Sequence, residues 1–221
     1  GGRRSAAGTR RALHALFDAA VYDADVARRR WNGQIDLILL LDIPEGGMVL
    51  ESRMTGVLRA IETALGPQPP GIVHRVGGGG ERSRGRAAAA AILSDHPEAR
   101  HILVSACSDD GALGALDALT AAGRESQAVI AGMEGSAEAL EMITREESPY
   151  IASVAFYPEQ YGPALMDLVL RLVNGEQVPP FRYVDHELID REKALRLLRP
   201  EAGSLEGPRL AHAAQRTGTS A

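Results

Sequence analysis

Few residues of this sequence belong to the types that carry redox chemistry, cysteine-based metal binding or ring stacking. The 221 residues include one cysteine, Cys107, so the chain forms neither an internal disulfide nor a zinc site built from cysteines. Aromatic residues make up 4% of the chain, which argues against a large stacking surface. We expect no metal and no cofactor.

Long apolar runs and an excess of positive charge are also missing. The most apolar stretch, "QIDLILLLDIP", has the length of a strand and falls short of the roughly 20 residues that a membrane-spanning helix needs. The net charge is −5 and the pI about 5.7, so no basic field attracts nucleic acid or an anionic membrane. The first residues, "GGRRSAAGTRR", contain no hydrophobic signal core, and we expect that a targeting segment was removed or that the chain begins mid-protein.

What is present is a regular alternation of short apolar runs with segments of helical periodicity. This alternation predicts a doubly wound α/β fold around a mostly parallel sheet. We expect one domain over residues 10–190, a flexible segment at 1–9 and a disordered tail at 200–221. The predicted strands are 34–43, 71–76, 101–107, 127–133, 150–156 and 181–189, and the predicted helices are 10–31, 48–65, 81–94, 109–122, 136–147 and 158–174.

Acidic residues follow two of the predicted strands. Asp109 and Asp110 come after the third strand, and Glu134 ends the fourth. In an open α/β sheet, ligands bind beyond the carboxyl ends of the strands, so these residues are candidates for a binding cleft. The alternative is that they cap helices and complement helix dipoles. No histidine or cysteine joins them at ligand spacing, which argues against a metal.

The run "VGGGGERSRG" follows a predicted strand and precedes a helix. Backbone amides of Gly77–Gly80 could bind a phosphate there, assisted by Arg82 and Arg84. The run matches neither of the common nucleotide-binding glycine motifs, and a flexible glycine loop is the favoured interpretation.

Catalytic motifs are lacking, and no nucleophile, base and orienting group come together in the sequence. Arg53, on the helix after the first strand, is either a solvated charge or a donor into the cleft. We therefore expect a protein that is not an enzyme.

Four segments resemble the type I periplasmic sugar-binding proteins, in the order in which that family has them. The segment "HPEARHILVSACSDDGALGALDALTAAGRE" is similar to the family's "HPD…A-x-N-D-x-x-A-L-G-A…A-G", and "SRMTGV" matches its "R-x-x-G-F" helix. "AVIAGMEGSAEALEMI" resembles "V-V-G-F-D-G-T-x-E-A", and "IASVAFYPEQYGPALMDLVLRLVNGEQVPP" resembles the ending "T-V-x-Q-x-P…G…A…L-x-G-x-x-V-P-P". Together the four cover roughly residues 34–190.

The resemblance implies a two-lobed protein that holds a monosaccharide or similar polyol and delivers it to an ABC permease. The chain corresponds to the C-terminal lobe, and nothing in it matches most of the N-terminal lobe. The implied location is periplasmic or extracellular. The ligand contacts carried over by motif are Arg53, Ser108, Asp109, Glu134 and Phe156.

The chain departs from the family pattern at several of these positions. Ser108 replaces an asparagine, Met133-Glu134 replaces Phe-Asp, and Phe156 replaces a glutamine. The glycine run stands where an aromatic residue is expected. The identity of the ligand is therefore open.

The helix predicted at 158–175 packs against the other lobe in the family. Tyr161, Leu165, Leu168, Val169 and Leu172 form its apolar stripe. We expect this stripe to fold back onto the domain, to pair with a second copy, or to meet a lobe supplied by a separate chain.

Two other classes of function remain alternatives. One is the ligand-sensing domain of a LacI-type transcription regulator, which would be cytoplasmic, although the "P-x-L-T-T-V" phrase of those regulators is absent. The other is an enzyme or binder of a phosphorylated small molecule at Gly77–Gly80.

Overall fold

Six strands form a single sheet in this computed structural model. The structure describes residues 20–158, 161–179 and 186–198, without the side chains of residues 48 and 49. The strands are β1 Leu37–Asp42, β2 Val73–Gly77, β3 Ile102–Ala106, β4 Ala128–Glu134, β5 Tyr150–Phe156 and β6 His186–Asp190. The helices are α1 20–31, α2 Gly47–Leu65, α3 Arg82–Asp95, α4 Asp109–Ala121, α5 Ala137–Thr144, α6 Tyr161–Val173 and α7 Arg191–Leu198.

The sheet has the order β2-β1-β3-β4-β5-β6, and its first five strands are parallel. Strand β6 runs antiparallel to β5, with His186 opposite Phe156. Since β5 ends at the edge of the sheet where β6 begins, β6 has to run in the opposite direction. The mostly parallel α/β architecture predicted from the alternation is confirmed.

Both faces of the sheet are covered by helices. One face carries α1 and α2, and the other carries α3, α4, α5 and α7. This arrangement explains the continuous apolar run of β1, in which all six residues of Leu37–Asp42 are buried. Each large apolar side chain buried in this way contributes about 1.5–3 kcal/mol.

Several predicted boundaries shift by a few residues. The strand predicted at 34–43 is shorter, Leu37–Asp42, because residues 32–36 make the turn after α1. The helix predicted at 10–31 is described from residue 20, and the segments 1–9 and 200–221 lie outside the described residues. Gly123 has φ +65° just beyond the end of α4, in the left-handed region that favours glycine.

Helix α7 was missed by the sequence analysis, which ended the domain at 190. Its start is marked by Asp190, whose carboxylate accepts a hydrogen bond from the backbone N–H of Lys193 at 3.0 Å. Ala194 is fully buried in the core that α7 shares with α5. The domain therefore extends to at least Leu198.

Part of the glycine run, for which a flexible loop was the favoured interpretation, is closely packed, while Gly77 and Gly80 are exposed. Gly79 is buried, and its N–H donates to the backbone oxygen of Asp42 at 2.8 Å. A Cβ at Gly111 would lie 2.6 Å from the oxygen of Gly79, and a Cβ at Gly85 would lie 2.6 Å from the oxygen of Gly111. Because glycine has no side chain, the backbones of this loop, α3 and α4 come into direct contact.

Helix α6 presents an apolar row to solvent. Leu165, Val169 and Leu172 of the predicted stripe are 58%, 48% and 57% exposed. In the described part of the chain, these three residues do not fold back onto the domain, whereas Tyr161 and Leu168 of the stripe are half-buried. Met166, Leu170 and Val173 are exposed as well.

Candidate functional site

The candidate site lies at the carboxyl edge of the sheet, where the parallel strands end. Ser108 follows β3, Glu134 ends β4 and Phe156 ends β5. Arg53 reaches the same edge from the second turn of α2. The four positions therefore belong to one edge of the molecule, where α/β sheets bind their ligands.

Arg53 is held by two contacts. Its Nη1 donates to the backbone oxygen of Cys107 at 3.1 Å. Its guanidinium carbon lies 5.2 Å from the centre of the Phe156 ring, within the range of a cation–π interaction. The half-buried side chain thus links α2 to the ends of β3 and β5.

Ser108 is the N-cap of α4, and its hydroxyl is fully used inside the protein. The Oγ accepts a hydrogen bond from the N–H of Gly111 at 3.1 Å and donates to the backbone oxygen of Gly79. The residue is 4% exposed. Its hydroxyl therefore joins the glycine loop to α4 and does not face solvent.

Asp109 is fully buried and accepts hydrogen bonds from three donors. The Tyr150 hydroxyl donates to Oδ1 at 2.8 Å and the Ser153 hydroxyl donates to the same atom at 2.6 Å, while the backbone N–H of Ser136 donates to Oδ2 at 2.6 Å. Burial raises the pKa of this carboxyl group, and the three donors oppose that shift. Asp109 therefore sits behind the wall of the site and ties α4 to β5 and to the start of α5.

Glu134 has a strained backbone at the rim of the site. Its φ is +116°, which a non-glycine residue rarely adopts. The next two amides are fixed, because Gly135 N–H donates to Ser153 Oγ at 3.0 Å and Ser136 N–H donates to Asp109. The buried Tyr150–Asp109–Ser153 group thereby determines where Glu134 stands.

The carboxyl group of Glu134 lies in a field with an excess of negative charge. Partial loss of water raises its pKa to about 7, and the carboxylates of Asp109 and Asp110 add to the increase. The Arg53 guanidinium and the backbone N–H of Asp109 act in the opposite direction. The residue itself is exposed at the surface.

The structure thus divides the five predicted contact residues into two groups. Arg53, Glu134 and Phe156 come together at the accessible surface, whereas Ser108 and Asp109 are enclosed. Asp110 is exposed beside them. Within the described ranges, no group of three or more histidine, cysteine or acidic side chains could hold a metal ion.

The arginines near the glycine run are engaged elsewhere. Arg82 Nε lies 2.7 Å from an Asp117 oxygen, and its Nη1 lies 2.6 Å from Glu138. Arg84 lies 3.5 Å from Glu45 and 3.3 Å from Glu81. Because both guanidiniums already face carboxylates and the loop is closely packed, the geometry does not support a phosphate site at Gly77–Gly80.

Tyr150 and Ser153 were not recognised from the sequence as part of the site's framework. Both lie within the strand segment "YIASVAF", where their hydroxyls are the polar groups in an apolar run. Gly132 is the second signal, because a Cβ there would collide with the Tyr150 hydroxyl and with Asp109. A polar pair in a buried strand beside an unexplained glycine could have pointed to a buried carboxylate.

Solved structures with this fold include three sugar or polyol complexes. The Actinobacillus succinogenes ABC transporter solute-binding protein, with bound D-allose, is 19% identical with a TM-score of 0.66, over 84% of this chain and 61% of that one. The Agrobacterium vitis solute-binding protein, with bound allitol, is 23% identical with a TM-score of 0.67, over 85% and 63%. A Mycobacterium smegmatis protein in complex with β-D-fucofuranose is 24% identical with a TM-score of 0.69, over 91% and 64%.

The present chain spans less than two thirds of the length of each of these proteins. The comparison with curated proteins found no significant match. No helix in the described ranges has the length and apolarity required to cross a membrane. The family model for the periplasmic binding protein domain matches residues 17–177. The chain belongs to the periplasmic binding protein family.

Proposed function

We propose that this chain binds a monosaccharide or similar polyol, as part of a non-catalytic solute-binding protein that serves an ABC permease in the periplasm or outside the cell. The observation that carries the proposal is the convergence of Arg53, Glu134 and Phe156 at the carboxyl edge of the sheet. Family membership supports it, as do the fold neighbours described with D-allose, allitol and β-D-fucofuranose.

The chemistry of the three accessible side chains suits a hydroxylated ligand. A guanidinium donates two parallel hydrogen bonds to adjacent hydroxyl oxygens, and a carboxylate accepts hydrogen bonds from hydroxyl protons. Phe156 supplies apolar surface beside them. The bonds within the framework of Ser108, Asp109, Tyr150 and Ser153 hold these groups in place before the ligand arrives, which reduces the entropic cost of binding.

We also propose that this chain works together with a second lobe, as in a two-lobed binding protein. The site described here is a single open wall, and in our proposal a second lobe closes over it. Helix α6, with its exposed apolar row, is where we expect a further lobe or a second copy of the chain to pack.

Thermal denaturation in the presence of neutral sugars and polyols tests the proposal. The panel contains D-allose, allitol, other hexoses, pentoses and hexitols, together with sugar phosphates. Each compound is added at a concentration about ten times the Kd of a ligand that binds in the millimolar range. Such a ligand stabilises the fold by about 1.4 kcal/mol. That corresponds to a rise in Tm of roughly 3–6 °C for a chain of this size.

Two variants separate the site from other causes of stabilisation. Arg53→Ala should abolish the shift produced by the neutral ligand, whereas Arg59→Ala, an exposed arginine on the same helix, should leave it unchanged. A shift that persists in Arg53→Ala would contradict the proposed site. A panel in which only sugar phosphates stabilise the protein would contradict the proposed ligand class.

A further inference from the structure

A cavity of about 320 Å³ lies at the amino end of β5, at the opposite end of that strand from Phe156. It is bounded by the last turns of α1, the end of α5, the start of β5 and the first residue of α7. Four arginines line it: Arg29, Arg30, Arg145 and Arg191. The volume falls within the range of small-molecule sites, about 300–1,000 Å³, so a small ligand fits beside these guanidiniums.

Most hydrogen-bond donors of these arginines are unused. Among the described residues, the side chains of Arg30 and Arg145 form neither a hydrogen bond nor an ion pair. Arg29 and Arg191 each donate from Nε to one backbone oxygen, at 3.3 and 3.2 Å. The Nη1 of Arg191 lies 3.8 Å from a Glu146 oxygen, beyond hydrogen-bond distance. The guanidiniums of this cavity therefore retain their donors, unlike those near the glycine run, which lie against carboxylates.

The floor of the cavity is apolar and fixed by the fold. Val26, Ile143 and Ile151 line it and are 8%, 2% and 9% exposed. Tyr150, which also lines it, is fully buried, and its hydroxyl donates to Asp109 at 2.8 Å. Charges interact more strongly beside such a surface than in bulk water, because the surface is less polarisable than water. The floor thus strengthens the attraction of the guanidiniums for an anion.

The hydroxyl of Tyr22 adds a neutral donor to the wall of the cavity. Tyr22 is half-buried, and burial together with the carboxylate of Asp190 raises its pKa. The guanidiniums of Arg29 and Arg30 line the same wall and oppose that shift. The hydroxyl therefore stays protonated at neutral pH and is able to donate a hydrogen bond to an anion.

The negative charges around the cavity do not neutralise its arginines. Glu146 lines the cavity, and Glu125 and Glu147 line a neighbouring groove that Arg30 also borders. The carboxyl ends of α1 and α5 add about half a negative charge each. Asp190 stands at the amino end of α7, whose dipole offsets part of its charge. With Arg30 assigned to the groove, the other three guanidiniums still exceed the negative charge of Glu146 and the helix ends.

We propose that this cavity binds a phosphate group, either as inorganic phosphate or at the end of a phosphomonoester. The oxygens of a tetrahedral phosphate point in several directions, so they accept hydrogen bonds from guanidiniums of different elements at once. A carboxylate has two oxygens in one plane and a single charge, and satisfies fewer of these donors. The seven residues of β5 separate this cavity from the proposed sugar site by roughly 20 Å, so the two proposals are independent.

Amide chemical-shift titration of the full chain in a phosphate-free buffer provides the test. The probes are inorganic phosphate and phenyl phosphate, with phenol as the neutral counterpart and sodium chloride at equal ionic strength to measure general screening. The test variant is Arg30→Gln, Arg145→Gln, because neither side chain holds the fold through a polar contact with a described residue. The matched control is Arg59→Gln, Arg86→Gln, which removes the same charge from exposed arginines of α2 and α3.

We expect both phosphates to produce saturable shifts at residues 26–30, 143–148 and 191, with a Kd in the millimolar range or lower. The affinity should fall at least about tenfold in the test variant and less than about twofold in the control. Tighter binding of phenyl phosphate than of inorganic phosphate would support a phosphomonoester as the ligand, and equal binding would support free phosphate. Shifts that sodium chloride reproduces, no saturable shift with either phosphate, or an equal loss of affinity in both variants would overturn the proposal.

Discussion

At the scale of single residues, two buried aspartates differ in how many hydrogen bonds their carboxyl groups accept. Asp109 has three hydrogen-bond donors, whereas Asp23, on α1, has one, the Ser105 hydroxyl at 3.2 Å. Among the described residues, the Oδ1 of Asp23 has no hydrogen-bond partner, and burial raises the pKa of this group to about 8. Ionised Asp23 is therefore disfavoured in the folded state.

Asp23→Asn should stabilise the protein in a pH-dependent manner. The folded pKa lies above the unfolded value, so the neutral carboxyl contributes full stability below about pH 4 and loses it as the pH rises through about 8. The variant should gain up to about 5 kcal/mol in unfolding free energy near pH 8 and little near pH 4. Urea denaturation across this range measures the gain, with exposed Asp25→Asn as the control. A gain that does not depend on pH would refute the assignment.

Tyr150→Phe should weaken both the fold and the site, because it removes one of the three donors to Asp109. Loss of a bond to a buried carboxylate costs about 1–3 kcal/mol. We expect that loss in denaturant unfolding, together with lower affinity for any ligand that contacts Glu134. Tyr22→Phe, at a half-buried tyrosine on α1, is the matched control. Equal stability of Tyr150→Phe and the parent protein would contradict the role given to the network.

At the scale of elements, the glycines explain how α3, α4 and the loop after β2 fit together. Gly111→Ala would place a methyl group 2.6 Å from the Gly79 oxygen, and overpacking of this kind costs about 1–3 kcal/mol. Gly56→Ala, within α2, meets nothing within 4 Å and should stabilise the helix by roughly 0.5–1 kcal/mol. Thermal denaturation measures the change in Tm of each variant relative to the parent protein. If Gly111→Ala left the Tm unchanged, the packing around Gly79 would be loose.

The exposed side chains of helix α6 should contribute little to the unfolding free energy of the domain. Because Leu165 and Leu172 are already more than half exposed, the double change Leu165→Gln, Leu172→Gln should alter the unfolding free energy by no more than about 0.5 kcal/mol. Leu113→Gln, at a buried leucine of α4, is the contrasting variant and should destabilise strongly. A loss above about 1 kcal/mol in the double variant would mean that the α6 row is buried in solution.

The sequence predicted the elements well because their physical signals are local. Apolar runs such as Leu37–Leu41 and small residues at helix ends are readable from neighbouring residues, whereas the capping role considered for Asp109 and Asp110 belongs to Ser108. The direction of β6 and the existence of α7 depend on where β5 and α5 lie in space, which no local pattern encodes. The close packing of Gly79 was not foreseen, because flexibility and close packing call for the same residue.

At the scale of the whole molecule, the candidate site is the accessible edge of a buried framework. The sequence located all five residues near one edge, since parallel strands end together. It could not distinguish Arg53, Glu134 and Phe156, which are accessible, from Ser108 and Asp109, which are enclosed. That distinction depends on hydrogen bonds to Gly79, Tyr150 and Ser153, which are distant in sequence.

The most direct test of the central claim is to map where a sugar or polyol contacts the chain by amide chemical-shift perturbation. We expect shifts at residues 53, 108–111, 134–136 and 156. Amides that line the cavity of about 560 Å³ at the opposite edge, such as those of Leu93, Ala118 and Arg124, should not shift. Perturbation of that cavity with no change at the carboxyl edge would contradict the account.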